Sequence, residues 1–152
     1  MTIYEDALIE NLRKQTFCRL APSDIHGIGV FAIKDIPKGT EVFQLCNDAF
    51  ENIIELTDEY VESLDESVTK YIQDIFIRES TGLWALPECG LNSLNISFFL
   101  NHCNRPNLKP VMAHGYATWV SNKVIKSGKE LTNDYRLLGP LEQVYEQFSW
   151  LK

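Results

Sequence analysis

What most constrains this chain is how often its apolar segments are cut short. "TFCRL", "GVFAI" and "EVFQLC" are brief runs of β-branched and aromatic residues, which favour strands. They are separated by "APSDIHGIG" and "KDIPKGT", where Gly, Pro, Asp and Ser supply turn chemistry. The punctuation predicts short antiparallel strands. Further on, "VMAHGYATWVSNKVI" reads as a hairpin, "KSGKE" as a turn and "LTNDY" as a strand.

Helical periodicity appears in three places. Residues 2–14 carry a capping-box pattern, Thr2 with Glu5, and Ile3, Tyr4, Ala7, Leu8 and Leu12 recur on one face, as in a packing or capping helix. Residues 57–79 place Val68, Tyr71, Ile72, Ile75 and Phe76 on one apolar face, with Glu59, Glu62, Asp65, Glu66 and Asp74 forming a solvated remainder. Residues 140–151 begin at Pro140, which suits a first turn, and carry Leu141, Val144, Tyr145 and Phe148 as a stripe. The fold class is mainly β with α insertions (α+β), in one domain, the size prior for 152 residues.

At 45% hydrophobic and 23% charged the composition is that of a globular protein, and no apolar run approaches a membrane span. The first fifteen residues lack a signal-peptide layout, which predicts an intracellular protein. A net charge of -7 argues against direct nucleic-acid binding and suits a basic protein or peptide partner. Cys18, Cys46, Cys89 and Cys103 are scattered, which argues against a disulfide framework. His102, Cys103 and His114 match no standard zinc spacing, so no metal is expected.

Three separated stretches carry chemistry. "HGIGVFAIKDIPKGTEV" (residues 26–42) holds a Gly27-Ile28-Gly29 turn leading into a strand, and glycine there permits unusual φ and close backbone approach. It lacks the third glycine and following helix of a dinucleotide-binding fingerprint. "NISFFLNHCNRPNL" (residues 95–108) is an apolar, partly buried run ending in Asn101 and His102, whose polar groups must find partners in backbone or ligand. "SGKELTNDY" (residues 127–135) offers Glu130 and Asp134 to the turn and its network, and the Tyr135 phenol to a pocket or the core.

In order and spacing these stretches resemble the SET domain of protein-lysine methyltransferases, over roughly residues 16–136. The resemblance implies several small β-sheets, a helical insertion and a C-terminal pseudoknot, in which the segment after the third motif threads a loop containing the second. It implies S-adenosylmethionine as cofactor, S-adenosylhomocysteine as product, and methyl transfer to a lysine of a histone tail or other protein. By position, Gly27, Ile28, Gly29, Asn101 and His102 would bind the cofactor and Tyr135 would be the catalytic tyrosine.

Departures from the pattern are informative. Cys103 stands where serine is usual, and Asn104 where many members have a zinc-ligating cysteine; the cysteine-rich tail completing that zinc site is also absent. The terminal helix would then close the site, with Phe148 or Trp150 stacking on the adenine or covering the lysine channel. Cys46 lies near the place of a channel tyrosine in many members. The alternative reading is a catalytically weak or inactive SET-fold binding module. Either a monomer or a homodimer fits, the latter through residues 2–14 or the terminal helix.

Overall fold

A computed structural model of the protein describes residues 2–44, 53–88, 90–113 and 116–152. In chain order its elements are α1 (Ile3–Lys14), β1 (Cys18–Pro22), β2 (Ile28–Ala32), β3 (Ile53–Leu56), α2 (Asp58–Glu62), α3 (Glu66–Ile75), β4 (Trp84–Pro87), β5 (Asn101–His102), β6 (Leu108–Ala113), β7 (Tyr116–Ser121), β8 (Glu130–Asn133) and α4 (Leu141–Gln147). Short 3₁₀ turns occupy Leu91–Ser93, Ile96–Phe99, Tyr135–Leu137 and Ser149–Leu151. The chain divides into two compact units, Met1–Ala49 with Phe99–Asp134, and Phe50–Phe98 with Tyr135–Lys152. No helix among the described residues is long and apolar enough to cross a membrane.

The first unit is built on a four-stranded sheet in the order β1-β2-β8-β5. β1 and β2 pair antiparallel through the turn that holds Gly27, whose φ of 49° lies in the left-handed region. β8 runs antiparallel to β2 and parallel to β5, so it sits between the first two motifs. Val30 and Leu131 are register partners and both fully buried. With Ala32, Ile36, Val42, Leu100, Leu108 and Ile125 they make up the buried apolar residues of this unit among those described. Burial of each larger aliphatic side chain contributes about 1.5–3 kcal/mol. A second antiparallel pair, β6 with β7, completes the unit.

Two expectations change here. Of "EVFQLC", only Glu41 forms a bridge, to Val120, and residues 42–44 are not a strand; 45–46 lie outside the described residues. The Gly39 and Thr40 amides donate to the Ser121 carbonyl and hydroxyl at 2.8 and 2.9 Å and the Val42 amide to the Trp119 carbonyl at 3.0 Å, so the segment pairs with β7 only as far as Val42. α1 has its capping box, yet buries none of its residues: Ile3, Tyr4, Leu8 and Leu12 are exposed. The capping box satisfies the Glu5 amide, and Asn11 donates to the Gln44 carbonyl at 3.3 Å.

The second unit packs β3 and β4 with α2 and α3 around Val61, Ile72, Phe76, Trp84 and Leu86. Phe98 lies against Phe76, ring centroids 5.0 Å apart. The helix expected over 57–79 is broken in two. Asp65 leaves the helical conformation and caps α3 by accepting from the Ser67 amide at 3.0 Å, a competition that short polar side chains win at helix starts. The apolar stripe is also only partly covered. Ile72 and Phe76 are buried while Val68 and Tyr71 are exposed, and Phe76 is already extended at φ -100°, ψ 147°. The terminal helix divides likewise at Phe148, φ -118°, ψ 69°, leaving α4 and a final 3₁₀ turn.

Candidate functional site

The run "NISFFL" winds as the 3₁₀ turn Ile96–Phe99 and delivers Asn101 and His102 as the short strand β5. Parallel pairing with β8 sets Asn101 beside Thr132 and His102 beside Asn133. The Cys103 amide then donates to the Asn133 carbonyl at 2.8 Å.

Asn101 is buried, and its side-chain amide reaches into the G-x-G turn. Nδ2 lies 3.0 Å from the His26 carbonyl, 3.3 Å from the Ile28 carbonyl, 3.1 Å from Ser23 Oγ and 2.9 Å from Glu130 Oε1. An amide nitrogen has two protons, so these acceptors share them. The Asn101 N–H groups therefore serve the protein.

Ser23 and Glu130 complete the arrangement. The Ser23 hydroxyl donates to the Glu130 carboxylate, at 2.8 Å from Oε1 and 2.9 Å from Oε2, and accepts from the Ile25 amide at 2.9 Å. The Ser23 amide donates to the Gly27 carbonyl at 2.9 Å. Asn107 pins the strand that carries Glu130, donating to its carbonyl at 2.7 Å and accepting from the Thr132 amide at 2.8 Å.

The two glycines have different reasons. At Gly27 the cause is the positive φ, and a Cβ there would meet nothing within 4 Å. At Gly29 the cause is space: a Cβ would stand 2.2 Å from Glu130 Oε1. The close approach that Gly29 permits is that of the protein's own carboxylate. Ile28 presents a half-exposed side chain beside them.

The His102 imidazole is largely buried, with Nε2 3.2 Å from Asn104 Oδ1 and Nδ1 3.7 Å from Asp134 Oδ1. Asn104 thus engages the motif histidine. Among the described residues no group of three or more His, Cys, Asp or Glu side chains is placed to hold a metal ion, and His114 lies outside them.

Tyr135, Phe148 and Trp150 belong to the second unit, where they form an aromatic group of their own. Tyr135 and Phe148 have centroids 5.2 Å apart, and Trp150 stands edge-on to both, at 6.3 and 6.2 Å. Such tilted and T-shaped contacts are favoured by the ring quadrupoles. Trp150 remains largely exposed. Cys46 lies outside the described residues.

Sequence reasoning missed two members of the first unit's site. Ser23 carries no signal beyond its place in a turn. Asn133 is 2% exposed and its Oδ1 has no hydrogen-bond partner. Its signal was available in strand alternation, which puts position 133 on the same face as the buried Leu131. An orphaned buried acceptor costs about 1–3 kcal/mol, which marks the position as one built for a donor.

The sequence matches the family model of the SET domain over residues 27–136. No curated protein matches it. Among solved structures 225 chains match. One is a crystal structure of a Plasmodium falciparum protein provisionally named a histone methyltransferase. It is 17% identical, with a TM-score of 0.49, over 80% of this chain and 94% of that one.

Proposed function

We propose, because the chain belongs to the SET-domain family, that it is an S-adenosylmethionine-dependent protein-lysine methyltransferase. Members of the family are generally lysine methyltransferases that use this cofactor. The observation that carries the reading is the junction of the three motifs: the Asn101 amide joins the G-x-G turn to Glu130. Residues far apart in sequence are spent on shaping one short loop, which is the investment expected of a binding loop.

The residues present fit the cofactor. The backbone at Gly27 is open, and Asn133 Oδ1 is a buried acceptor suited to an N–H donor. Gly27, Ile28 and Gly29 would hold the cofactor by backbone, with Asn101 and His102 beside them. The bound cofactor supplies a methyl group on a sulfonium. The chain's own task is alignment, a large share of the barrier for a displacement. Aromatic rings such as Phe148 and Trp150 would desolvate a lysine ammonium, which lowers its pKa and favours the neutral amine. The Tyr135 hydroxyl would orient that amine. The net charge of -7 favours a basic substrate, such as a histone tail.

A thermal-shift titration tests the reading. A ligand that binds only the folded state stabilises it by about 2.7 kcal/mol at a hundred times its Kd. S-adenosylhomocysteine should raise the melting temperature, and histones incubated with the protein and S-adenosylmethionine should gain 14 Da increments per methyl, about one CH₂ each, by mass spectrometry. A ligand-induced shift without any methyl transfer would instead support a SET-fold binding module. Absence of a shift would sink the cofactor assignment.

A further inference from the structure

Glu130 is a partly buried carboxylate, and among the described residues no ion pair to Lys, Arg or His reaches it. Its oxygens are met by neutral donors, the Ser23 hydroxyl and the Asn101 amide. Withdrawing a carboxylate from water is costly unless hydrogen bonds replace it. Here each replacement donor has a second contact in the same loop. Ser23 Oγ accepts from the Ile25 amide, and Asn101 Nδ2 lies within hydrogen-bond reach of the His26 and Ile28 carbonyls. Gly29 is bare where the carboxylate presses against it. A carboxylate retained only for solubility would point outward; this one faces into the turn and is held by the Ser23 and Asn101 side chains.

We infer that Glu130 and Ser23 are positioning residues for the cofactor loop. The carboxylate is the template against which residues 23–29 are folded, and it acts through Ser23 and Asn101. It orders the His26 and Ile28 carbonyls inward, which turns the opposite edge of the 27–29 backbone to the cofactor. The inference rests on the reading of residues 27–29 as a cofactor loop. It adds that the loop's geometry is set from β8, so cofactor affinity depends on two side chains that need not touch the cofactor.

Isothermal titration with S-adenosylhomocysteine tests this on the full chain. Loss of one hydrogen bond to a charged group corresponds to about tenfold in an equilibrium constant, or somewhat more. Glu130→Gln and Ser23→Ala should each weaken binding by at least about tenfold, and the double variant should lose less than the product of the two. Ser23→Thr, which keeps the hydroxyl, should bind within about threefold of the wild type. Ser121→Ala supplies the structural control: it removes a buried hydroxyl that donates to the Pro37 carbonyl at 2.6 Å in the same unit. That variant should melt lower and bind unchanged. Wild-type binding with unchanged affinity in Glu130→Gln and Ser23→Ala would overturn the inference alone. Equal weakening in Ser121→Ala would also overturn it, because general loosening would then explain the loss. A wild type that binds no S-adenosylhomocysteine would overturn the cofactor reading and this inference with it.

Discussion

Gly29→Ala isolates the role of one missing methyl group. The added Cβ would stand 2.2 Å from Glu130 Oε1, 2.8 Å from its Cδ and 3.0 Å from Ser23 Cβ. Ordinary contact between such atoms is about 3.5 Å, so the carboxylate must retreat by roughly 1 Å. It cannot retreat freely, because Ser23 and Asn101 hold it at 2.8–2.9 Å. A shift of that size stretches these bonds beyond useful length. Losing hydrogen bonds to a charged group costs about 1.5–3 kcal/mol, and overpacking costs about 1–3 kcal/mol where neighbours cannot yield. Restricting the unfolded chain returns about 0.4–1 kcal/mol. The net expectation is a destabilisation of about 3 kcal/mol, which for a domain of this size lowers the melting temperature by roughly 6–12 °C. Urea denaturation and calorimetry read the two quantities. The decisive comparison is a double-mutant cycle with Glu130→Ala, in which most of the cost should vanish because the obstructing atoms are gone. A melting point within 2 °C or so of wild type, or an undiminished cost without the Glu130 carboxylate, would refute the steric argument.

Tyr135→Phe keeps the ring that packs on Phe148 and Trp150 but removes the hydroxyl; methyl transfer to histones should fall at least about a hundredfold, in the range of a lost acid–base or orienting group, with the melting temperature little changed. Asp58→Ala leaves the Trp84 indole N–H, which donates to that carboxylate at 2.8 Å, and the Arg78 guanidinium without their shared acceptor, so urea denaturation should show a loss of about 1–3 kcal/mol. Burial pushes the Cys18 thiol up to about 11. The folded state therefore favours the neutral thiol, and this contribution to stability, full below the unfolded cysteine pKa, is lost as pH rises through about 11. At pH 8 Cys18 should react with a maleimide far more slowly in the native than in the urea-unfolded protein, as mass spectrometry of digests would show.

Much of the architecture was legible because its causes are local. β-branched and aromatic runs became β1, β2 and β8, and Thr2 with Glu5 formed the capping box of α1. The segments that departed did so where a local preference met a competitor. Residues 57–79 have helical periodicity, but the Asp65 side chain found a better use as the cap of α3. Phe43 and Gln44 have strand composition, but the segment pairs with β7 only through Glu41 and Val42, whose amide donates to the Trp119 carbonyl. α1 has an apolar face, yet periodicity says only that a face exists, not that anything covers it. Within the candidate site, Gly27, Ile28, Gly29, Asn101 and His102 were legible as residues, whereas the partner of each polar atom was not.

The sequence by itself determined the family, the short-strand texture and the identities of the motif residues, since these rest on residue type and spacing along the chain. Only the tertiary structure decided what those residues touch. Ser23 and Glu130 are 107 positions apart, and Asn101 and Ser23 are 78 apart. They meet because β8 lies between β2 and β5, a strand order that no local preference encodes. That order made Gly29 a seat for a carboxylate, committed the Asn101 amide to the protein, and left the buried Asn133 oxygen as an acceptor without a donor.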